Sequence, residues 1–540
     1  MDAAAVEELR AEVARLAAEL EALSSERAQL AAEREHYQAL YLDTLEKMRK
    51  LELGLLGQKA ERLPANEAQL SMALLAELLG REPTPEPTGE EKKRKVREHE
   101  RAKPTGRKPL PESLPRVEVE ILPPEVIAEG RDAFEQIGAE VSETIERRPS
   151  SVVVVRVTRP KFVRKDRERN AETTVLTAPP PELPIERGLA GPGMLAETIV
   201  RRWQDHQPLH RQEEIYARDG LELARSTICG WHEQLAELAR PLVDAMFVDA
   251  RGAPYLCADA TGVLVQAKEK CRTGHFWVLV VPGRHVLFRF SAAHDSAAVD
   301  ALLADYQGYL VADAHVVYDH LYVGGKVVEV ACWAHARRYW FKALDSEPER
   351  ARVALGLIGE LFRIERAAAH LPARERLALR GRESWPVVEK LFAWFAAEAP
   401  QAIDDTPLAK AIGYALNQRA ALQRFLEDGR LPLHNNISEQ ALRREVIGRK
   451  NWLFVGNDEA AEINATFVSL LASCRMHGVE PWAYLRDLFC MLPAWPARRV
   501  LELAPVNWRK TREQQDTQQR LAANVFRRAV LDLAKHPANK

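Results

Sequence analysis

The sequence predicts an α/β protein: a core of strands and helices with a helical insertion, preceded by a coiled coil, a small β module and a helix-turn-helix-like helical region. Three observations predict it. Residues 254–318 hold four runs rich in β-branched and aromatic residues, with one helical stretch before the fourth. A block over about 343–430 then shows helical spacing only. At the other end of the chain, Val6, Leu9, Val13, Leu16, Leu20 and Leu23 recur in steps of three and four.

Bulk properties set the limits. At 540 residues the chain is too long for one core, and about three or four domains are expected. A hydrophobic content of 46% and a charged content of 29% fit a soluble globular protein. The net charge of −2 excludes a uniformly basic nucleic-acid coat, so any DNA binding must come from local patches. No apolar run reaches the about 18 residues of a membrane span, and the N-terminus lacks the pattern of a signal peptide. Cys229, Cys257, Cys271, Cys332, Cys474 and Cys490 form no CxxC pair. A reduced, cytoplasmic protein without membrane contact or a cysteine-held zinc is expected.

Residues 1–63 are expected as a coiled-coil helix. The seam weakens where Arg27 and Arg34 take a positions, but no glycine or proline breaks it there. It reads either as a dimer-forming, or higher, coiled coil or as a long helix packed on its own protein. Residues 64–115 hold a helical segment and a Pro-rich linker with Lys92, Lys93, Arg94, Lys95, Arg107 and Lys108. That basic run suits DNA phosphates or a minor groove, or serves only to solubilise a linker. Residues 116–185 read as a small β module, with strands at 116–122 and 151–158, an extension over 161–178, and a basic rim including Arg156, Arg159, Lys161, Arg164 and Lys165. Residues 186–248 are helical. Within them 211–235 resembles a helix-turn-helix, with Gly220 in the turn and Ser226 or Thr227 as the cap of the second helix. Arg225, Ser226, Thr227 and His232 would then face a DNA groove; the alternative is a plain helical hairpin.

The first part of the core spans 249–342. Strands are expected at 254–266, 274–281, 285–291 and 308–318, a helix at 297–306, and a strand running into a helix over 326–340. Three antiparallel strands, a helix, then a further strand and helix is the order of a ribonuclease-H-like fold. In that order the first and fourth strands are neighbours, so Asp259 and Asp313, each closing a buried run, share one edge. Buried-edge carboxylates are costly unless paired or ligated. They repel unless a cation lies between them. Mg²⁺ suits such oxygen ligands, with Mn²⁺ an alternative, and two ions would serve phosphodiester chemistry. After the insertion (343–430), residues 431–492 return to the core. On a helix Asn435, Glu439 and Arg443 share a face, with Asn436 beside them. Glu439 is either a third metal ligand or a solvated helix residue. Arg449, Lys450 and Asn451 offer DNA phosphate contacts, while Trp452 and Phe454 suit stacking or core packing equally. His335 either contacts DNA, assists near the metals, or is structural. Residues 493–540 are expected as a basic tail.

Six blocks in this order, "ADATG", "DAHVVYDHLY", "CWAHARRYW", "AIGYALNQRAALQRFLEDGRLPLHNNISEQALR", "GRKNWLFVG" and "GVEPWAYLRDLF", resemble the transposases of the insertion sequence 66 family. The resemblance covers nearly the whole chain. It implies an Asp-Asp-Glu triad on a ribonuclease-H-like core, which motif by motif falls on Asp259, Asp313 and Glu439. It implies Mg²⁺-dependent cleavage at the ends of a double-stranded element and attack of the freed 3′-hydroxyl on target DNA. Four departures stand out. Residues 116–180 have no cysteine where the family carries a zinc module, so no structural zinc is expected. His434 replaces an aspartate before the asparagine pair, Gln440 replaces an arginine after the glutamate, and Ala260 replaces a glutamate after the first aspartate. Two other functions use the same residues: a nuclease that cuts without joining, and a DNA-binding relative that has lost catalysis.

Overall fold

The computed structural model describes residues 110–112, 114–148, 151–165 and 175–533, with Arg15 and Arg27. The heptad seam and the basic linker residues Lys92, Lys93, Arg94, Lys95, Arg107 and Lys108 lie outside the described residues. The chain divides into two units, Gly106–Cys332 with Arg430–Lys540, and Met1–Thr105 with Trp333–Gly429. Among the described residues no helix is long and apolar enough to cross a membrane.

In the first unit, β1 (Arg116–Glu120), β2 (Phe134–Arg148) and β3 (Ser151–Arg164) form a sheet in the order β1-β3-β2, with β4 (Leu176–Thr177) also on β3. The run Val152–Val155 and Val157 make β3 the buried centre. β2 was not expected. Its sequence, FEQIGAEVSETIERR, is mostly charged or polar, and Ile137 and Val141 lie exposed. Pairing with β3, rather than burial, holds it as a strand. The basic rim is neutralised along that pairing. Arg156 meets its register partner Glu143 at 2.7 Å and Glu118 at 3.1 Å. Arg159 and Lys161 meet Glu140, and Arg164 meets Glu129. This module therefore offers less cationic surface than its composition promised.

Helices α1 (Pro192–Ile199), α2 (Leu209–Arg218) and α3 (Arg225–Arg251) follow. Gly220, at φ +83°, makes the turn between α2 and α3, where left-handed backbone favours glycine. The cap of α3 is Ala224, not Ser226 or Thr227. At 27 residues α3 is a scaffold helix that buries Ile228, Trp231, Leu235, Leu242 and Met246. Next come β5 (Tyr255–Val265), β6 (Arg272–Val281), β7 (His285–Ser291), α4 (Ser296–Leu303), β8 (Gly308–Ala312) and β9 (Val327–Ala331). They form one sheet in the order β7-β6-β5-β8-β9. β5, β6 and β7 are antiparallel, whereas β8 joins β5, and β9 joins β8, in parallel. The first and fourth strands of this block are neighbours, as expected.

The later segment of the second unit begins at Trp333, where the helical insertion was expected from 343. It holds α5 (Trp333–Ala343), α6 (Pro348–Ala367), α7 (Ala373–Leu379), α8 (Trp385–Glu398), α9 (Pro407–Asn417) and α10 (Arg419–Gln423). Trp340 stacks on Phe395 at 5.1 Å, and the Trp333 indole donates to Leu422 O at 2.9 Å. Arg380, fully buried, donates to both oxygens of Glu365 at 2.7 Å and to the carbonyls of Phe425 and Asp428. A buried guanidinium is tolerated only with such complete pairing.

The chain returns to the first unit with α11 (Asn436–Trp452), α12 (Asp458–Met476), α13 (Pro481–Met491), α14 (Pro505–Glu513), α15 (Gln515–Ala523) and α16 (Val525–Leu533). The edge strand β7 is covered by α12, where Ser473 and Ser469 hydroxyls accept the Val286 and Phe288 N–H groups at 3.0 and 2.7 Å. An edge strand's N–H groups are thereby satisfied. The expected tail is instead folded over much of its length: α16 packs Val525, Phe526 and Ala529 against Val153, Val155 and Val157 of β3.

Candidate active site

The two aspartates are carried by neighbouring parallel strands, β5 and β8. Cys257 of β5 pairs with Val311 of β8. Two residues further along each chain come Asp259, within β5, and Asp313, just past the end of β8. β8 stops at Ala312 rather than running to 318, because His315–Tyr318 turns away as a helical turn in which the His315 ring accepts the Val317 N–H. Both aspartates are half-buried. Asp259 Oδ1 accepts the Ala260 N–H at 2.8 Å.

An aromatic wall flanks this edge, and sequence reasoning missed it. Trp277 is the β6 partner of Ala260 and is almost fully buried, and its indole Nε1 has no hydrogen-bond partner among the described residues. His294 stacks on Trp277 at 4.8 Å and meets His315 edge-on at 4.7 Å. Tyr318 lies edge-on to Trp277 at 6.2 Å. Burial holds the Tyr318 hydroxyl well above its usual range, and Asp313 and Asp259 add to the effect. Burial, then His315 and His275, depress His294, with Asp313 acting the other way. One tyrosine thus senses both carboxylates. The signal was the strand register of β6 opposite β5, which a single sequence does not show.

Glu439 lies in the first turn of α11, half-buried. A carboxylate there meets the positive end of the helix dipole. Asn435 precedes the helix as its N-cap residue. It is fully buried, and its Nδ2 donates to Ala258 O at 2.7 Å, one residue before Asp259. The Asn435 N–H donates to the Cys332 sulfur at 3.2 Å. The Asn435 Oδ1 is buried without a hydrogen-bond partner among the described residues. The His434 ring, one residue before the N-cap, accepts the Asn436 N–H at 3.3 Å. Further along, Arg449 donates to Thr261 Oγ1 at 3.1 Å and to Gly262 O. Arg449, expected on DNA, is therefore engaged in fixing α11 on β5.

The remaining candidates are dispersed. Arg443 and Lys450 are exposed, and Asn451 donates to Ile447 O. Trp452 is half-buried beneath the Arg202 guanidinium at 5.4 Å, and Phe454 is exposed. Ser226 and Thr227 are exposed, and Arg225 pairs with Glu213 at 3.2 Å. His232 does not face a groove. It is buried, lies 3.0 Å from Thr198 Oγ1, packs on Trp203, and burial pushes it down to about 3. His335 lies on α5 of the second unit.

The donor chemistry around the edge fits a hard divalent cation: carboxylate oxygens of Asp259 and Asp313, and the buried amide oxygen of Asn435 without a hydrogen-bond partner. Mg²⁺ commonly takes one or two protein carboxylates, leaving other positions to water and phosphate. Among the described residues no three of His, Cys, Asp or Glu gather closely enough to grip one ion together. The fit is that of a carboxylate pair.

The profile described as "Transposase IS66 family" matches residues 187–463, "IS66 C-terminal element" matches 469–506, and "Transposase C of IS166 homeodomain" matches 45–119. The chain is 30% identical over 492 residues to the uncharacterized protein y4hP of Sinorhizobium fredii, covering 86% of this chain and 88% of that one. It is 31% identical over 426 residues to y4qI of the same organism, covering 75% and 78%. Transposases of this type bind DNA, act generally as polynucleotidyl transferases and generally use a divalent metal. With one profile spanning half the chain and two more flanking it, this protein belongs to the insertion sequence 66 family of transposases.

Proposed function

We propose that this transposase cuts double-stranded DNA at the ends of its element and joins the freed 3′-hydroxyl to target DNA, with Asp259, Asp313 and Glu439 as its catalytic acids. The observation that carries the proposal is the pairing of β5 and β8, with Asp259 and Asp313 each two residues beyond the paired Cys257 and Val311. The tie from Asn435 to Ala258 supports the third member, because it fastens the start of the Glu439 helix to the same strand. The strand order supports a ribonuclease-H-like core.

In this mechanism Asp259 and Asp313 would hold Mg²⁺ or Mn²⁺, with Glu439 closing the site from α11. Such ions, when bound, activate a water and neutralise charge on the leaving oxygen. The chain's own part is positioning. The β5–β8 edge fixes two carboxylates, Arg449 fixes the helix, and Trp277, His294 and Tyr318 wall the edge on one side. Water oxygen bonds to phosphorus as the bond to the 3′ oxygen breaks, and the 3′ oxygen leaves as a hydroxyl. That hydroxyl then bonds to a target phosphorus and displaces the target's own 3′ oxygen.

The exposed face of Ser226 and Thr227, the linker lysines and arginines, and exposed Arg443 and Lys450 would contact the DNA ends and target, and the N-terminal heptads would pair protomers. The protein would act in the cytoplasm. One observation favours a second reading: the absence of a three-carboxylate group among the described residues suits a DNA-binding relative without catalysis. Single-turnover cleavage of a duplex spanning the element's own junction decides between them. Asp259→Asn and Asp313→Asn abolish cleavage and joining in the first reading. The second predicts none to abolish.

A further inference from the structure

Behind the Glu439 helix lies a cavity of about 610 Å³ between α11, α12 and the start of β7. Its floor is apolar, with Val286 and Met476, and its rim carries Gln440, Arg443 and Arg475. Arg444 lines it too, although only 7% exposed. One terminal nitrogen of Arg444 donates to the carbonyls of Trp203 and Gln204 and to the Gln204 side chain. Its Nε has no hydrogen-bond partner among the described residues. Burial first, and then Arg475, hold the Arg444 guanidinium below its usual range, against the pull of Glu445 and Asp205. Arg443 and Arg475 are exposed and form no ion pair among the described residues.

Three guanidinium groups thus converge on a pocket with an apolar floor. Cations gathered on one pocket, with only Glu445 and Asp205 drawing on Arg444, repel one another, and an anion relieves the repulsion. An orphaned buried N–H donor has the same requirement. Pockets of about 300–1,000 Å³ enclose a small molecule, so this one suits a single nucleotide, while a duplex would touch only its rim. Arginines on the phosphate are one half of the pattern of single-strand binding sites; here aliphatic side chains take the place of the aromatic platform beneath the sugar or base.

We propose that this pocket is a nucleotide subsite that takes one unpaired nucleotide of the DNA strand leaving the acid edge. Arg443 and Arg475 grip its phosphate, the Arg444 Nε–H donates inward, and Val286 and Met476 lie beneath the sugar or base. Its place in the reaction rests on the reading of Glu439 as a catalytic acid, but the pocket itself does not.

Fluorescence anisotropy with two labelled probes tests the proposal: a blunt duplex, and a fork of the same sequence with unpaired arms, both in EDTA. The full chain binds the fork about tenfold more tightly, the worth of one charged hydrogen-bonded contact. Arg475→Ala removes that preference, keeps blunt-duplex binding within about twofold, and lowers the salt slope on the fork by about 0.7–0.9, the share of one phosphate. Gln440→Arg adds a cation to an exposed rim position and increases the preference. Equal binding of fork and blunt DNA by the full chain, or an undiminished preference in Arg475→Ala, overturns the proposal. Asp313→Asn serves as the separating arm. If it still cleaves while the fork preference follows Arg475, the catalytic reading falls and the subsite stands. If it loses cleavage while Arg475→Ala keeps the preference, the reverse holds.

Discussion

The β1–β4 module and the α11–α12 groove are both rich in arginine, but they use it differently. On β3, Arg156, Arg159 and Arg164 each meet a glutamate from a neighbouring segment. In the groove, Arg443 and Arg475 meet no carboxylate among the described residues, and Arg444 is pressed by Arg475. The difference teaches that a basic run in a sequence is not a basic surface. Half-exposed ion pairs contribute little to stability, yet they cancel the charge that a phosphate would otherwise see. The groove is one place where the described chain keeps cationic charge available, on the helix that bears Glu439.

The largest effect belongs to the acids. Glu439→Gln should lower single-turnover cleavage by about a thousandfold, since losing a metal-directed carboxylate removes several kcal/mol at about 1.36 kcal/mol per tenfold. DNA binding in the same variant should hold, which separates catalysis from the cationic groove.

A third regime of charge comes next. Glu146 is 1% exposed and accepts the Arg147 and Met194 N–H groups at 2.7 and 2.6 Å. Burial pushes it up to about 7, opposed by those N–H groups, the Gly193 N–H and Arg486. Its folded-state value lies above the ordinary 4.5, so the folded chain holds this proton to higher pH. Stability from this group is therefore full below about 4.5 and falls as pH rises through about 7. Glu445, pushed up to about 7 by burial, adds a second fall of the same sign. Glu146→Gln should flatten part of the decline, by up to about 3 kcal/mol at alkaline pH. Urea unfolding from pH 5 to 9 reads it.

Arg449→Ala follows, with a loss of about 1.5–3 kcal/mol for charged hydrogen bonds to Thr261 and Gly262. Its signature should be slower cleavage with an unchanged salt slope, because Arg449 holds the helix rather than DNA. A drop in slope equal to one phosphate would return it to the DNA surface. The smallest effect is expected for Arg156→Ala with Arg159→Ala: under about 1 kcal/mol per pair in stability, and no change in DNA affinity.

Much of the core was legible in the sequence. The runs at 254–266, 274–281, 285–291 and 308–318 carry β-branched and aromatic residues dense enough to mark four strands, and their order placed the Asp259 strand beside the one that leads to Asp313. What stayed hidden depended on partners. β2 is a strand because β3 pairs with it, not because its residues prefer to be one. His232 looked like a groove residue until Trp203 and Phe467 closed over it. Arg449 and Arg443 lie on one helix with the same side chain, and only the position of β5 tells anchor from surface. The Trp277–His294–His315 wall draws on two strands and a turn, so no local pattern announces it.

The central claim is that Asp259, Asp313 and Glu439 serve one metal-dependent phosphoryl-transfer centre. Asp313→Cys tests it most directly, because a thiolate is a softer ligand than a carboxylate and Mn²⁺ accepts it more readily than Mg²⁺. This variant should fail to cleave the junction duplex in Mg²⁺ and regain cleavage in Mn²⁺, while the unaltered chain works in both. Equal cleavage by the variant and the unaltered chain in Mg²⁺, or a loss that Mn²⁺ does not relieve, would contradict it.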